Sequence, residues 1–194
     1  MVYGIYKKPL DASWQALIDN AINSLPVNVI KVVNDNGITL LKDSDAQILA
    51  PGETGVSIFD GNEWFIIYDD AVDSIRRKRF TIAHELGHIF LGHPMIIERH
   101  VGAFVGVDYG VENEANAFAS HFLAPACVLW GLGFHSPANI SEICRISSSS
   151  AAICSERIVE LYMRDEFLPN PLEQQVFKQF KEFIELNRYQ TGKK

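Results

Sequence analysis

The chain has 194 residues, 47% of them hydrophobic and 21% charged, a composition that can bury one substantial core with room for a small appendage. With 24 acidic against 17 basic residues the net charge is −7, which argues for solubility and against a broad phosphate-binding surface, so nucleic acid is not the default partner. Cys127, Cys144 and Cys154 form an odd set without CxxC spacing, which argues against a disulfide framework or a four-thiolate zinc site and fits a reducing cytoplasm.

The opening MVYGIYKKPLDASW lacks the continuous apolar run of an export signal, and no later window is expected to reach the length of a membrane span. From Asp11 to Leu25, apolar Trp14, Leu17, Ile18, Ala21, Ile22 and Leu25 recur at helical spacing until Pro26 stops them, which predicts an amphipathic helix. VNVIKVV is β-branched and followed by Asn34, Asp35, Asn36 and Gly37, so it reads as a strand. GVSIF and WFIIY, joined by the turn DGNE, read as a hairpin. Asp73 can cap a helix from about Ser74 to Leu91, which Gly92 and Pro94 end. Pro94 to Gly110 shows no firm period, and a second helix is expected from near Val111 to just before Pro125. Beyond Gly133, SPANISEICRI and SSSSAAICSERIVELYMRDEF read as two helices around a short turn, with Ser147 to Ser150 as turn and helix start. A final helix is expected from about Glu173 to Asn187.

The stretch RRKRFTIAHELGHIFLGH, Arg76 to His93, holds three of the chain's six histidines. Residues four apart lie one turn above each other on a helix, so His84 and His88 can offer ring nitrogens to one ion. Glu85 next door can reach a water at that ion without occupying it, which is the physical content of HExxH. Ile82, Ala83, Leu86, Ile89 and Phe90 fall opposite the histidines, so one side of the helix packs on the sheet and the other looks into a cleft. A lone helical histidine is more often a surface residue; the pair, the glutamate and the two-faced pattern together favour a metal site. Gly87, which costs about 1 kcal/mol inside a helix relative to alanine, hints at close approach of another backbone.

A catalytic zinc typically takes three protein ligands, so a third is needed. VENEANAFASHFLAP offers Glu112 and Glu114 on a helix with the apolar stripe Val111, Ala115, Phe118 and Phe122. Glu112 shares its side with Asn116, Ala119 and Leu123 at the edge of that stripe, whereas Glu114 shares a side with Ala117 and His121. Glu112 is therefore the expected ligand and Glu114 is expected in solvent. Ala115 and Ala119 would let this helix approach the first closely, and Asn116 could orient a ligand by a hydrogen bond. His93 also offers itself, but a helix that ends at Gly92 takes it off the histidine face, and the metzincin pattern places its glycine and third histidine differently. A contact with the helix C-terminus, with a ligand or with substrate is the preferred reading of His93. His100, His121 and His135 show no comparable spacing and read as surface or partly buried residues.

RRKRFTIAHELGH followed by ENEANAFASHFLAP resembles the ImmA/IrrE family of zinc metallopeptidases. In that family RF-[ST]-[IL]-AHELGH leads to an E-x-x-A-N-x-FA-x-x-x-L-x-P helix that supplies the third ligand. Arg79, Phe80, Thr81, His84, Glu85 and His88 match the first pattern, and Glu112, Ala115, Asn116, Phe118, Ala119, Leu123 and Pro125 the second. The resemblance implies an α+β fold: a zincin-like core over 1–132, with an N-terminal helix, a three-stranded or larger twisted sheet, the HExxH helix and the Glu-bearing helix. A small helical helix-turn-helix-like region with a terminal amphipathic helix follows over 133–194. The resemblance also implies Zn2+ on His84, His88 and Glu112, Glu85 as the proton acceptor in peptide-bond hydrolysis, and a cytoplasmic bacterial or phage protein. Its implied protein substrate is a helix-turn-helix repressor that it cleaves or antagonises. Tyr109 is a candidate oxyanion donor, and an edge of GVSIF or WFIIY a candidate seat for an extended substrate.

NISEICRISSSSAAICSERI is similar to the helix-turn-helix-like segment many members carry. Here Arg145, Arg157 and Arg164 are balanced by Glu142, Glu156 and Glu160, and Arg145 stands where DNA-binding versions often have a turn glycine. Packing or protein contact is therefore favoured over direct DNA reading. Val176, Phe177, Phe180, Phe183 and Ile184 mark a packing side of the last helix. The rival reading is a metal-stabilised regulator that sequesters a repressor without cutting it; a DNA-binding regulator is the weaker third.

Overall fold

The computed structural model describes residues 7–93, 109–163 and 168–188. The chain divides into two compact units, Met1–Ala12 with Asn28–Ala119, and Ser13–Val27 with Ser120–Lys194. The segment 94–108, with His100, and Arg164 lie outside the described residues.

Helix α1, Lys7–Asp19, starts before Asp11 and stops well short of Leu25. Ala21 adopts a φ of 49°, and Gln179 Nε2 donates to the carbonyls of Leu17 at 2.8 Å and Ile22 at 2.6 Å. A side chain distant in sequence thus satisfies carbonyls at the helix end, and Ile22 and Leu25 reach their buried positions from a turned chain.

In the first unit, VNVIKVV is a helix and not the expected strand: α2 spans Val29–Asp35. Asn28 caps it, its side chain accepting from the N–H of Lys31 at 3.1 Å, and Val29, Val32 and Val33 are buried at helical spacing. Burial at that spacing outweighs the modest preference of valine for strands. Strand β1, Thr39–Lys42, precedes the short helix α3, Asp43–Ala46. The expected hairpin is present as β2, Gly55–Phe59, and β3, Trp64–Tyr68. In its turn the Asp60 carboxylate accepts from the N–H groups of Asn62 and Glu63, both at 2.9 Å, and Gly61 takes a φ of 99°. The sheet order is β1-β3-β2, with β1 parallel and β2 antiparallel to β3. Ile66 and Ile67 of the central strand are both buried, so each face of β3 is covered.

Helix α4, Ile75–Leu91, lies against β2 and β3 with Ile82, Ala83 and Leu86 buried. Its cap is Ser74, one residue beyond the expected Asp73, with Ser74 Oγ accepting from the N–H of Arg77 at 3.3 Å. Gly92 closes it at a φ of 65°, as expected. Helix α5, Tyr109–Leu123, carries Glu112 and Asn116 one turn apart.

In the second unit, α6, Ala126–Leu132, follows its cap Pro125 in a stretch for which no element was expected. Helices α7, Pro137–Cys144, and α8, Ser148–Met163, pack on each other around a short turn in which Arg145 takes a φ of 54°, a conformation that favours glycine. The expected last helix is two, α9, Pro171–Gln179, and α10, Lys181–Asn187, broken at the fully buried Phe180 so that each can pack on α6. Cys127, Cys144 and Cys154 are free thiols in buried positions. Against expectation, one helical stretch, Tyr109–Leu132, is long and apolar enough to cross a membrane by length and composition. Its most apolar window is 72% buried within the protein, and α5 ends at Leu123 before α6 begins.

Candidate metal centre

The site lies wholly in the first unit. A Cβ on Gly87 would lie 3.0 Å from Phe118 Cδ1 and 3.2 Å from the Ala115 carbonyl oxygen, so the absence of a side chain there lets α5 cross α4 closely. That crossing sets Glu112, about one turn before Ala115, over the histidine face of α4. His84 Nε2 and His88 Nε2 stand 2.9 Å apart, Glu112 Oε2 is 3.1 Å from His84 Nε2, and Glu112 Oε1 is 3.5 Å from His88 Nε2. One ligand atom from each residue lies within 4.8 Å of the others.

The outer nitrogens of both rings are engaged. His84 Nδ1 is 3.0 Å from Asn116 Oδ1, and His88 Nδ1 is 3.1 Å from His93 Nδ1. Burial lowers the pKa of His84, opposed by the charge of Glu112, and lowers that of His88 to about 3, helped by His84 and His93. Both rings are thereby held neutral, the form that ligates a cation. Two ring nitrogens converging beside a carboxylate, with the outward nitrogens tied, fit a divalent metal with imidazole preference.

Glu85 is buried, at 6% exposure, and Ser57 Oγ donates to its Oε2 at 3.0 Å. A Cβ on Gly55 would sit 2.4 Å from Thr81 Cγ2 and 3.2 Å from Glu85 Oε1, so β2 lies against α4 at this carboxylate. Sequence reasoning missed Ser57 and Gly55. The available signal was a serine at the centre of the otherwise apolar GVSIF, preceded by a glycine that a strand does not favour.

His93 stands outside the cluster, behind the ring of His88, so it is not among the converging ligand atoms. Glu114 is not free in solvent as expected: its Oε2 lies 3.1 Å from His93 Nε2 and 3.6 Å from Lys8 Nζ. The reason is the turn after Gly92, which brings His93 under α5. Tyr109 is 78% exposed at the start of α5. In the second unit His121 Nε2 lies 3.5 Å from Arg157 Nη1, and His135 is exposed.

A mixed three-stranded sheet backed by a helix that converges two imidazoles with a carboxylate from a second helix is the frame of a metallopeptidase-like α+β domain. Residues 39–130 match the IrrE N-terminal-like domain of the M78 peptidases, a match that supports the resemblance to the ImmA/IrrE family. No curated protein matches the chain.

Proposed function

We propose that the protein is a zinc-dependent endopeptidase that hydrolyses a peptide bond in a specific partner protein, a helix-turn-helix transcriptional repressor encoded beside it in a bacterial or phage genome, and that it acts in the cytoplasm. The observation that carries this reading is the orientation of His84 and His88, whose Nε2 atoms face Glu112 while each Nδ1 is hydrogen-bonded on the far side. His84, His88 and Glu112 would hold the ion, which when bound supplies Lewis acidity, bringing the pKa of water toward about 7 and polarising a carbonyl oxygen.

The rest falls to the chain's own groups. Glu85 takes a proton from the attacking water and returns it to the leaving amine nitrogen. Ser57 fixes the rotation of that carboxylate, so the same geometry meets each substrate. Strand β2 pairs with β3 on one side and with no other strand among the described residues, and Gly55 and Ser57 of β2 border Glu85. An extended peptide adding to that edge would run past the carboxylate, which restricts substrates to flexible segments.

The test is incubation of the zinc-loaded protein, and of its Glu85→Gln variant, with the neighbouring repressor. One defined cut is expected from the native protein. In the variant its rate should fall by at least about 100-fold, with zinc uptake and repressor binding retained. Repressor antagonism that survives undiminished in Glu85→Gln would favour sequestration over cleavage.

A further inference from the structure

Helix α4 ends in a Schellman turn: the N–H of Gly92 bonds the Ile89 carbonyl at 3.1 Å and the N–H of His93 bonds back to the His88 carbonyl at 3.1 Å. The turn folds His93 behind the ring of His88, centroids 5.1 Å apart, and buries it. A buried imidazole needs a partner for each nitrogen, and here Nε2 lies 3.1 Å from Glu114 Oε2 and Nδ1 lies 3.1 Å from His88 Nδ1.

Hydrogens can be assigned outward from the carboxylate. Glu114 as a carboxylate only accepts, so its contact places the hydrogen of His93 on Nε2. A His93 carrying that single hydrogen presents a lone pair at Nδ1, and the contact with His88 then requires a hydrogen on Nδ1 of His88. The lone pair of His88 is left on Nε2, the atom that faces His84 and Glu112. His84 faces an acceptor on each side, Asn116 Oδ1 at 3.0 Å from Nδ1 and Glu112 Oε2 at 3.1 Å from Nε2, so its own contacts do not select a tautomer in this way. A free neutral histidine favours hydrogen on Nε2, the tautomer that cannot ligate through that atom.

We infer that His93 and Glu114 are positioning residues that fix the tautomer of His88 and so deliver its Nε2 lone pair to the cation. The purpose of this relay rests on the metal site proposed above; the tautomer itself does not. Lys8, on the exposed side of Glu114, adds little, as surface ion pairs do.

The experiment reads ring-nitrogen 15N shifts of the metal-free, full-length protein near neutral pH, and Zn2+ affinity by competition with a chromophoric chelator. His88 should carry its hydrogen on Nδ1 in the native protein. In His93→Leu it should move toward Nε2, with Zn2+ affinity lower by about 10- to 100-fold. His93→Asn, whose Oδ1 can accept from His88, should restore both readouts. Because His93 is buried, Glu114→Ala on the partly exposed side chain provides a milder variant: it should mix the tautomers and weaken Zn2+, and Glu114→Gln should rescue. An unchanged His88 tautomer in His93→Leu and Glu114→Ala would overturn the inference even if the native protein binds Zn2+. Failure of the native protein to take up Zn2+ while His88 keeps hydrogen on Nδ1 would instead overturn the metal site and leave the tautomer assignment standing.

Discussion

Glu85 and Ser57 meet across the boundary between helix and strand, and the hydrogen bond between them decides what each can do. Ser57→Ala would leave Glu85 Oε2 without this donor in a buried setting, where a missing hydrogen bond to a charged group costs about 1–3 kcal/mol. The carboxylate would then sample more than one rotation. Cleavage should slow by about 10-fold or more while Zn2+ affinity stays the same, because Ser57 bonds to Glu85, which is not among the three proposed metal ligands. Parallel measurement of cleavage rate and chelator competition checks this; a fall in Zn2+ affinity as large as the fall in rate would show that Ser57 supports the whole centre. That Glu112, and not Glu114, lies beside His84 and His88 was legible from helical angle alone, since it needed only the direction of one face. The second partner of Glu114 was not legible, because it depends on how the chain turns after Gly92.

Among the elements, the crossing of α4 and α5 controls the candidate metal site. Gly87→Val would place atoms where Phe118 and the Ala115 backbone already stand, at 3.0–3.3 Å from the first added carbon. Overpacking of this kind costs about 1–3 kcal/mol, and it would lift Glu112 and Asn116 away from His84 together. Zn2+ affinity should therefore fall more than in Asn116→Ala, which removes one orienting contact; equal affinities in the two variants would mean that α5 accommodates the larger residue without moving. Helix α4, the β2–β3 hairpin and α5 were readable because periodicity and turn chemistry are local. Helix α2 was misread since Val29, Val32 and Val33 suit either period, although Asn28 in front of them is a helix cap. The end of α1 could not be read at all, as the side chain that satisfies its carbonyls is Gln179.

At the scale of the whole molecule, proton uptake on unfolding sets how stability follows pH. Burial lowers His88 to about 3, with His84 and His93 adding to the shift, and burial beside Arg157 lowers His121 well below 6.5. Unfolded, both return toward about 6.5, so the unfolded chain binds protons that the native state refuses. Their contribution is present above that value and is lost as pH falls toward the folded pKa. Glu173 acts in the opposite sense: burial raises it from 4.5 to about 7, partly offset by the N–H of Leu168. The native state there keeps a proton the unfolded chain has released, so this contribution is present below 4.5 and is lost as pH rises through about 7. Each differing proton changes stability by about 1.4 kcal/mol per pH unit. With His84 also lowered, three histidines outweigh one glutamate on the acid side. The metal-free protein should therefore be most stable near neutrality and lose stability toward about pH 5, and saturating Zn2+ should raise stability without steepening that loss, because the imidazoles that would hold it are already neutral in the metal-free fold. Glu173→Gln separates the two limbs. Glutamine can still accept from Leu168 but carries no charge, so the variant should gain stability over the native protein at about pH 8 and little at about pH 5. Urea midpoints at the two pH values decide the matter: an equal gain at both would mean that packing, and not the buried charge, limits stability at this position.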